Sequence, residues 1–244
     1  MTTSKLPLYS LQFEYRSNTY EKNLLKLTDL IKTTKENSLV VAPELSLTHF
    51  SFDFMQKAAD FGKEALKEII KLSENRIIAF SLTEKIGNKF YNNAKIIYKK
   101  EVIHTQAKYK LFKFGFEDKY FAPGKEEDIK IVEINNLKIA ILICFEIRFI
   151  DLWKKIQGAD IILIPALWGK LRKEQLEAIT KAMGIINQAF IVLANSANLD
   201  MAKSSGIITP FGKEIRDDSS EIIRHNADLN EIRKMRRYMD IGLK

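Results

Sequence analysis

The chain's only cysteine, Cys144, stands in "IAILICFEIRF" (139–149), at the end of an apolar run and just before a Glu-x-Arg. A free cysteine is most often an inert, buried small hydrophobe. This one falls where a buried strand stops and a helix starts, beside backbone N–H groups that the helix leaves without partners. Such groups favour a thiolate and could also hold an oxyanion, so the position suits a nucleophile. A nucleophile needs a base. His49, His104 and His225 occur in unrelated contexts, and His225 reads as a surface strand residue. A Cys–His pair with His49 or His104 stays open. The alternative base is a carboxylate. Glu44 in "VVAPEL" follows a short apolar strand and would emerge at the end of a sheet, where sites of α/β proteins form. A turn-capping role would fit it as well.

Lys108, in "QAKYKLF", closes another strand and precedes an aromatic loop, "YKLFKFGFEDKYFAPG" (109–124). Most lysines are solvated, and Lys110 and Lys113 read that way. One ammonium beside a developing oxyanion in a dry pocket would stabilise it strongly. Glu117 in the same loop is exposed by default, yet a second carboxylate near Lys108 could fix that ammonium in place.

The elements that must carry these residues follow from periodicity. "PLYSLQFEY" reads as a strand. A helix follows over 17–37, with Leu24, Leu27, Leu30 and Ile31 on one face and Ser17 or Asn18 as its cap. "SLVVAP" is a short buried strand, and a helix through Ala58, Ala65, Leu66, Ile69 and Ile70 comes after it. "RIIAFSLTEKIGNKFYNNAKIIYKK" is a hairpin about Gly87–Asn88, followed by the strand "EVIHTQAK". The second half repeats the logic. Strands "IKIVEI" and "LKIAILIC" turn at Asn135–Asn136, and a helix runs over about 149–157. Strand "ADIILIP" precedes a helix that aligns Leu176, Ile179, Met183 and Ile186. "AFIVLANS", "GIITPFGKEI" and "EIIRHNADL" complete the sheet, and a basic helix closes the chain. Runs such as "IAILI" and "DIILIP" are apolar at successive positions, so both faces of those strands are covered. No low-complexity linker interrupts the chain. Residues 1–244 therefore read as one domain of two similar halves, an α/β protein built as a four-layer α-β-β-α sandwich.

Composition narrows the function. The net charge is +8, but lysines alternate with glutamates along most of the chain, and only "RKMRRY" (233–238) is dense. Scattered charge of this kind marks a solvated surface, so no nucleic-acid partner is expected; the basic field would rather attract small anions. The longest apolar run, "IILIPALW" (161–168), is too short for a span and is broken by Pro165, so no membrane partner is expected. A single cysteine without an apolar leader suits the reducing cytoplasm. Metal-assisted phosphoester chemistry would want clustered carboxylates and histidines, which the pattern lacks.

The ordered set "PEL", "K-x-x-LF…E…YFAPG" and "C-F-E-I-R-F" resembles the three signature regions of the nitrilase, or carbon–nitrogen hydrolase, superfamily. "GADIILIPALWG", "NQAFIVLANSA" and "SGIITPFGKEI" resemble its later segments, so the likeness spans nearly the whole chain. The resemblance implies that Cys144 is the nucleophile, Glu44 the general base and Lys108 the lysine of a Glu-Lys-Cys triad. Lys108 is preferred over Lys110 because its spacing to "LF" matches that of the family lysine. Glu117 corresponds to a second structural or catalytic glutamate. Phe145 and Trp168, with the "HFSFDF" loop, would wall the substrate pocket, and the loops 45–56, 112–124 and 166–175 would set specificity. The family works without metal or cofactor and pairs into a homodimer or higher homo-oligomer. The implied enzyme cleaves a non-peptide C–N bond of a small amide or N-carbamoyl compound and releases ammonia. A nitrilase, or a ligand-binding module without catalysis, are the alternatives. Some positions depart from the family. Glu146 replaces an aspartate before Arg148, with which an ion pair is expected. Met183 and Ile186 replace an arginine and a glutamate, and "NNLK" replaces a segment with glycine.

Overall fold

The computed structural model describes residues 5–243. Strand β1 (Lys5–Leu11) leads to helix α1 (Tyr20–Thr33), strand β2 (Ser38–Val41) and helix α2 (Met55–Lys71). The hairpin β3 (Arg76–Ile86) and β4 (Lys89–Tyr98) is followed by β5 (Glu101–Ala107) and the one-turn helix α3 (Glu117–Tyr120). The second half holds β6 (Val132–Ile134), β7 (Leu137–Ile141), α4 (Ile150–Lys155), β8 (Ile161–Pro165), α5 (Lys173–Ile186) and β9 (Phe190–Ala194). Strands β10 (Gly206–Ile208), β11 (Glu214–Arg216) and β12 (Ile222–Asp228) and helix α6 (Asn230–Tyr238) complete the chain.

Two six-stranded mixed sheets result, ordered β12-β1-β2-β3-β4-β5 and β11-β10-β9-β8-β7-β6. In each, three parallel strands (β1, β2, β3 and β7, β8, β9) are flanked by antiparallel ones. The successive apolar residues have the predicted meaning. On β2, Leu39 and Val41 join the core shared with the second sheet, whereas Val40 packs with Leu27, Ile31, Ala65 and Ile69 of α1 and α2. The outer face of the second sheet is covered by Leu152, Trp153 and Ile156 of or just beyond α4 and by Leu176 of α5. The layers are therefore α-β-β-α, and one hydroxyl, Ser10 Oγ, donates across the interface to the Leu193 carbonyl.

Four local expectations change. Helix α1 starts after Thr19 with no side-chain cap, so neither Ser17 nor Asn18 serves. The last strand does not extend the second sheet: β12 returns to the first and pairs with β1, tying chain end to chain start. That places His225 half-buried between the sheets, with its ring centroid 6.3 Å from Phe190, instead of on the surface. The buried face of α5 is Leu176, Thr180 and Gly184, while Ile186 is 55% exposed. The reason is proximity: a Cβ on Gly184 would stand 3.0 Å from Ile208 Cγ2. A helix so close to its sheet selects small residues, not the most apolar ones.

Candidate active site

Three strand ends meet at one point between the sheets. Beyond β2, the Glu44 N–H donates to the Ala166 carbonyl of the other sheet's loop (3.2 Å), and Tyr15 Oη donates to the Glu44 carbonyl (2.6 Å). Beyond β5, the Lys108 N–H donates to the Asn92 carbonyl (2.8 Å) and the Lys108 carbonyl accepts from Gly124 N–H (2.9 Å). Gly124 sits so tightly on this strand end that a Cβ would overlap the Ala107 carbonyl, which gives the glycine of "YFAPG" its reason. Beyond β7, Cys144 opens a 3-10 turn, Cys144–Arg148, with a left-handed φ of 51°. An L-residue held there is strained, and strain of this kind collects at functional sites.

The polar cluster is buried. Lys108 Nζ donates to Glu44 Oε1 and to Glu117 Oε1, each at 2.7 Å, and all three side chains are almost wholly enclosed. Glu117, which a loop position would expose by default, is 2% exposed because α3 docks its first residue onto Lys108. Its second oxygen accepts the Phe112 N–H (3.0 Å). Asn92 Nδ2 adds a donor to Glu44 Oε1 (2.8 Å), leaving Glu44 Oε2 buried without a partner among the described residues. An ammonium has three N–H donors, so Lys108 keeps one beyond its two carboxylates.

The electrostatics separate the roles. Burial, and next the Glu44 charge, hold the Cys144 thiol well above its ordinary pKa, with Lys108 opposing. A sulfur held this way keeps its proton until a base takes it. Burial pushes Lys108 down, but the charges of Glu44 and Glu117 and the hydrogen bond to Glu117 outweigh it and keep the ammonium charged. Burial raises Glu117, against the pull of Lys108. The histidines stand apart: His49 packs against Tyr15 and Phe50, and His104 meets Gln106. No hydrogen bond joins either to Cys144 among the described residues.

Glu146 differs from its expected role. It makes no ion pair with Arg148. Instead it is fully buried, with Oε1 accepting the Tyr109 N–H (2.6 Å) and Oε2 the Ile143 N–H (2.7 Å). The carboxyl therefore clamps the residue after Lys108 to the residue before Cys144. Burial pushes its pKa up to about 7, while the backbone donors, Ile143 first and then Tyr109, and the Lys108 charge pull the other way. The folded protein keeps this proton to higher pH than the unfolded chain, whose carboxyl titrates near 4.5. Its stabilising contribution is whole below about pH 4.5 and is lost as pH rises through about 7, which amounts to about 3 kcal/mol. Urea unfolding of Glu146→Gln is expected to lack this fall between pH 5 and pH 8. It should also be about 1–3 kcal/mol less stable than the parent at pH 5, because an amide offers one acceptor to two N–H groups. Identical pH profiles would overturn the assignment.

In front of the cluster lies a cavity of about 300 Å³ lined by Phe112, Cys144, Phe145, Arg148, Leu167, Trp168 and Arg172. Phe145 and Trp168 are among the lining residues, and the Leu167 N–H points at Cys144 Sγ (3.4 Å). Arg148 lies over the Trp168 ring (4.7 Å) and donates to Gln175 Oε1. Loops 112–124 and 166–175 contribute to the lining, but 45–56 does not. Phe50 and Phe52 pack with Leu45, Phe90 and Phe121 in a separate cluster. Sequence reasoning passed over Asn92, Tyr15, Phe112, Leu167 and Arg172. Only Asn92 left a signal, as a polar pair "NN" within the strand "KFYNNAKIIY".

Comparison with known proteins places these observations. A family model described as carbon-nitrogen hydrolase matches residues 10–237. A 2-oxoglutaramate amidase of Bacillus subtilis (strain 168) is 28% identical over 251 residues, covering 97% of this chain and 96% of the relative. A deaminated glutathione amidase of Escherichia coli O157:H7 is 24% identical, covering 82% and 81%. In fold, the crystal structure of a carbon-nitrogen hydrolase from Helicobacter pylori G27 superposes with a TM-score of 0.86 at 19% identity, over 96% of this chain and 93% of that one.

Proposed function

Since the chain belongs to the carbon-nitrogen hydrolase family, we propose that it hydrolyses a small amide through a thioester on Cys144 and releases ammonia. The observation that carries this reading is the unpartnered, buried Oε2 of Glu44 in a cluster whose other carboxylate oxygens are all occupied. That oxygen takes the Sγ proton as sulfur attacks the amide carbon, and the carbonyl electron pair moves onto oxygen. The third N–H of Lys108 and the Phe145 N–H receive the oxyanion. Collapse breaks the C–N bond, and Glu44 returns the proton to the departing nitrogen as ammonia. Glu44 next deprotonates water, which attacks the thioester and frees the acid and the thiol. Glu117 holds the ammonium between two carboxylates, and Phe145 and Trp168 keep the cavity dry.

The finer parts of this reading have separate supports. Both sheets share one core, which supports a single domain over 1–244. A second copy is the proposed cover for exposed Ile185, Ile186, Phe211, Tyr238 and Met239. The lone free thiol fits a reducing cytoplasm, and no helix among the described residues is long and apolar enough to cross a membrane.

Ammonia release measured across primary amides, ureido acids and nitriles tests the reaction. Turnover confined to the amides, or greatest there, is expected. No ammonia from any amide would overturn the reading.

A further inference from the structure

Strand β4 carries two adjacent asparagines, Asn92 and Asn93, each only 1% exposed. Successive side chains of a strand point to opposite faces, so the two meet different neighbours. Asn93 Nδ2 donates to Glu84 Oε2, which also accepts from Lys95 Nζ (2.7 Å). Asn92 shares its face with Ala94 and Ile96, which belong to the core between the sheets. There it reaches two members of the buried cluster at once. Its carbonyl accepts the Lys108 N–H (2.8 Å), which carries the β4–β5 ladder one residue past the end of β5, and its Nδ2 donates to Glu44 Oε1 (2.8 Å).

The second bond decides which oxygen of Glu44 is free. The last torsion of a glutamate is broad and nearly two-fold, so its two oxygens exchange places easily. Tyr15 and Ala166 hold the Glu44 backbone and leave that torsion open. Lys108 donates to Oε1 (2.7 Å), but an ammonium is a compact charge with rotatable donors and fixes no plane. The planar amide of Asn92, mounted on a strand, adds the missing direction. Stability does not account for this residue. Asn92 Oδ1 is buried with no partner among the described residues, a cost that an apolar side chain like those of Ala94 and Ile96 would not carry.

We propose that Asn92 is a positioning residue, holding Glu44 so that Oε2, and not Oε1, faces the Cys144 thiol and the departing nitrogen. The proposal rests on the reading of Glu44 as the base for Cys144. Asn92 itself exchanges no proton.

The test uses Asn92→Leu, with Asn93→Ala as the control for disturbance of the same strand. On the amide that the parent turns over fastest, Asn92→Leu is expected to lower kcat by about 10- to 100-fold, the worth of one hydrogen bond to a charged group, with KM changed by less than about threefold. Asn93→Ala should stay within about threefold of the parent in both constants while losing stability in urea. Asn92→Ala gives the same readout if the leucine variant does not fold. Failure of both to fold would overturn the proposal, since Asn92 would then be a requirement of the fold. Alkylation of Cys144 by iodoacetamide separates the claim from amide turnover, because it needs only the removal of the sulfur proton. A rate lowered about tenfold or more by Asn92→Leu, and kept by Asn93→Ala, supports the positioning role even if no amide is hydrolysed. Equal effects of the two substitutions, or alkylation untouched by Asn92→Leu, would overturn it even if amides are hydrolysed.

Discussion

Cys144→Ala is expected to lower amide turnover by on the order of 10⁴-fold or more, since it removes the atom that the proposed mechanism uses to form the covalent intermediate. The size follows from how little remains. The Lys108 ammonium and the Phe145 N–H would still polarise a bound carbonyl, and Glu44 could still activate water. That residue of catalysis is what other nucleophile knockouts leave behind. Cys144→Ser should be nearly as inactive, because a hydroxyl is harder to deprotonate than a thiol and Glu44 would work against a larger pKa gap. Intact-protein mass spectrometry during turnover supplies the second readout. The parent should show a fraction carrying the acyl mass on Cys144, and the alanine variant none. Undiminished ammonia release by Cys144→Ala would sink the nucleophile assignment, whatever the binding behaviour.

The sequence shows the strands that bear Glu44 and Cys144 because each is a run of apolar residues stopped by an ionisable one. A buried strand must be apolar, and the first polar residue after it stands where the sheet opens. The strand before Lys108 is mixed, "EVIHTQA", so hydropathy does not mark its end in the same way. Other parts were hidden because they depend on non-local packing or on local geometry that hydropathy does not carry. Glu146 and Arg148 look like a pair in sequence, yet residues two apart on a helical turn do not face each other. Their side chains diverge, one into the backbone clamp and one into the cavity. Glu117 is buried only because α3 folds back on Lys108, and β12 joins the first sheet through pairing with residues more than 200 positions away. The wall contributed by "HFSFDF" is absent because those rings find each other and Phe121 instead.

Lys108→Met is the other substitution with a large expected effect, and it acts on stability as well as rate. The ammonium stands between Glu44 Oε1 and Glu117 Oε1 at 2.7 Å from each, so the two oxygens are no more than 5.4 Å apart. With the cation gone, their repulsion at that distance is about 3 kcal/mol for an effective dielectric near 20. Losing one member of a buried ion pair costs about 3–5 kcal/mol in comparable cases. Urea unfolding at pH 8 should show a deficit of that order. The deficit should shrink towards pH 5, because Glu117, which burial already raises and which has lost the opposing pull of Lys108, then takes up a proton. Activity should fall by on the order of 10³-fold or more, with an oxyanion donor and the charge balance of the base lost together. Adding Glu117→Gln separates the two effects. The double variant removes the repulsion, so most of the stability at pH 8 should return, while turnover stays at the level of Lys108→Met. Recovery of activity together with stability would show that Lys108 only braces the fold, and that some other group receives the oxyanion.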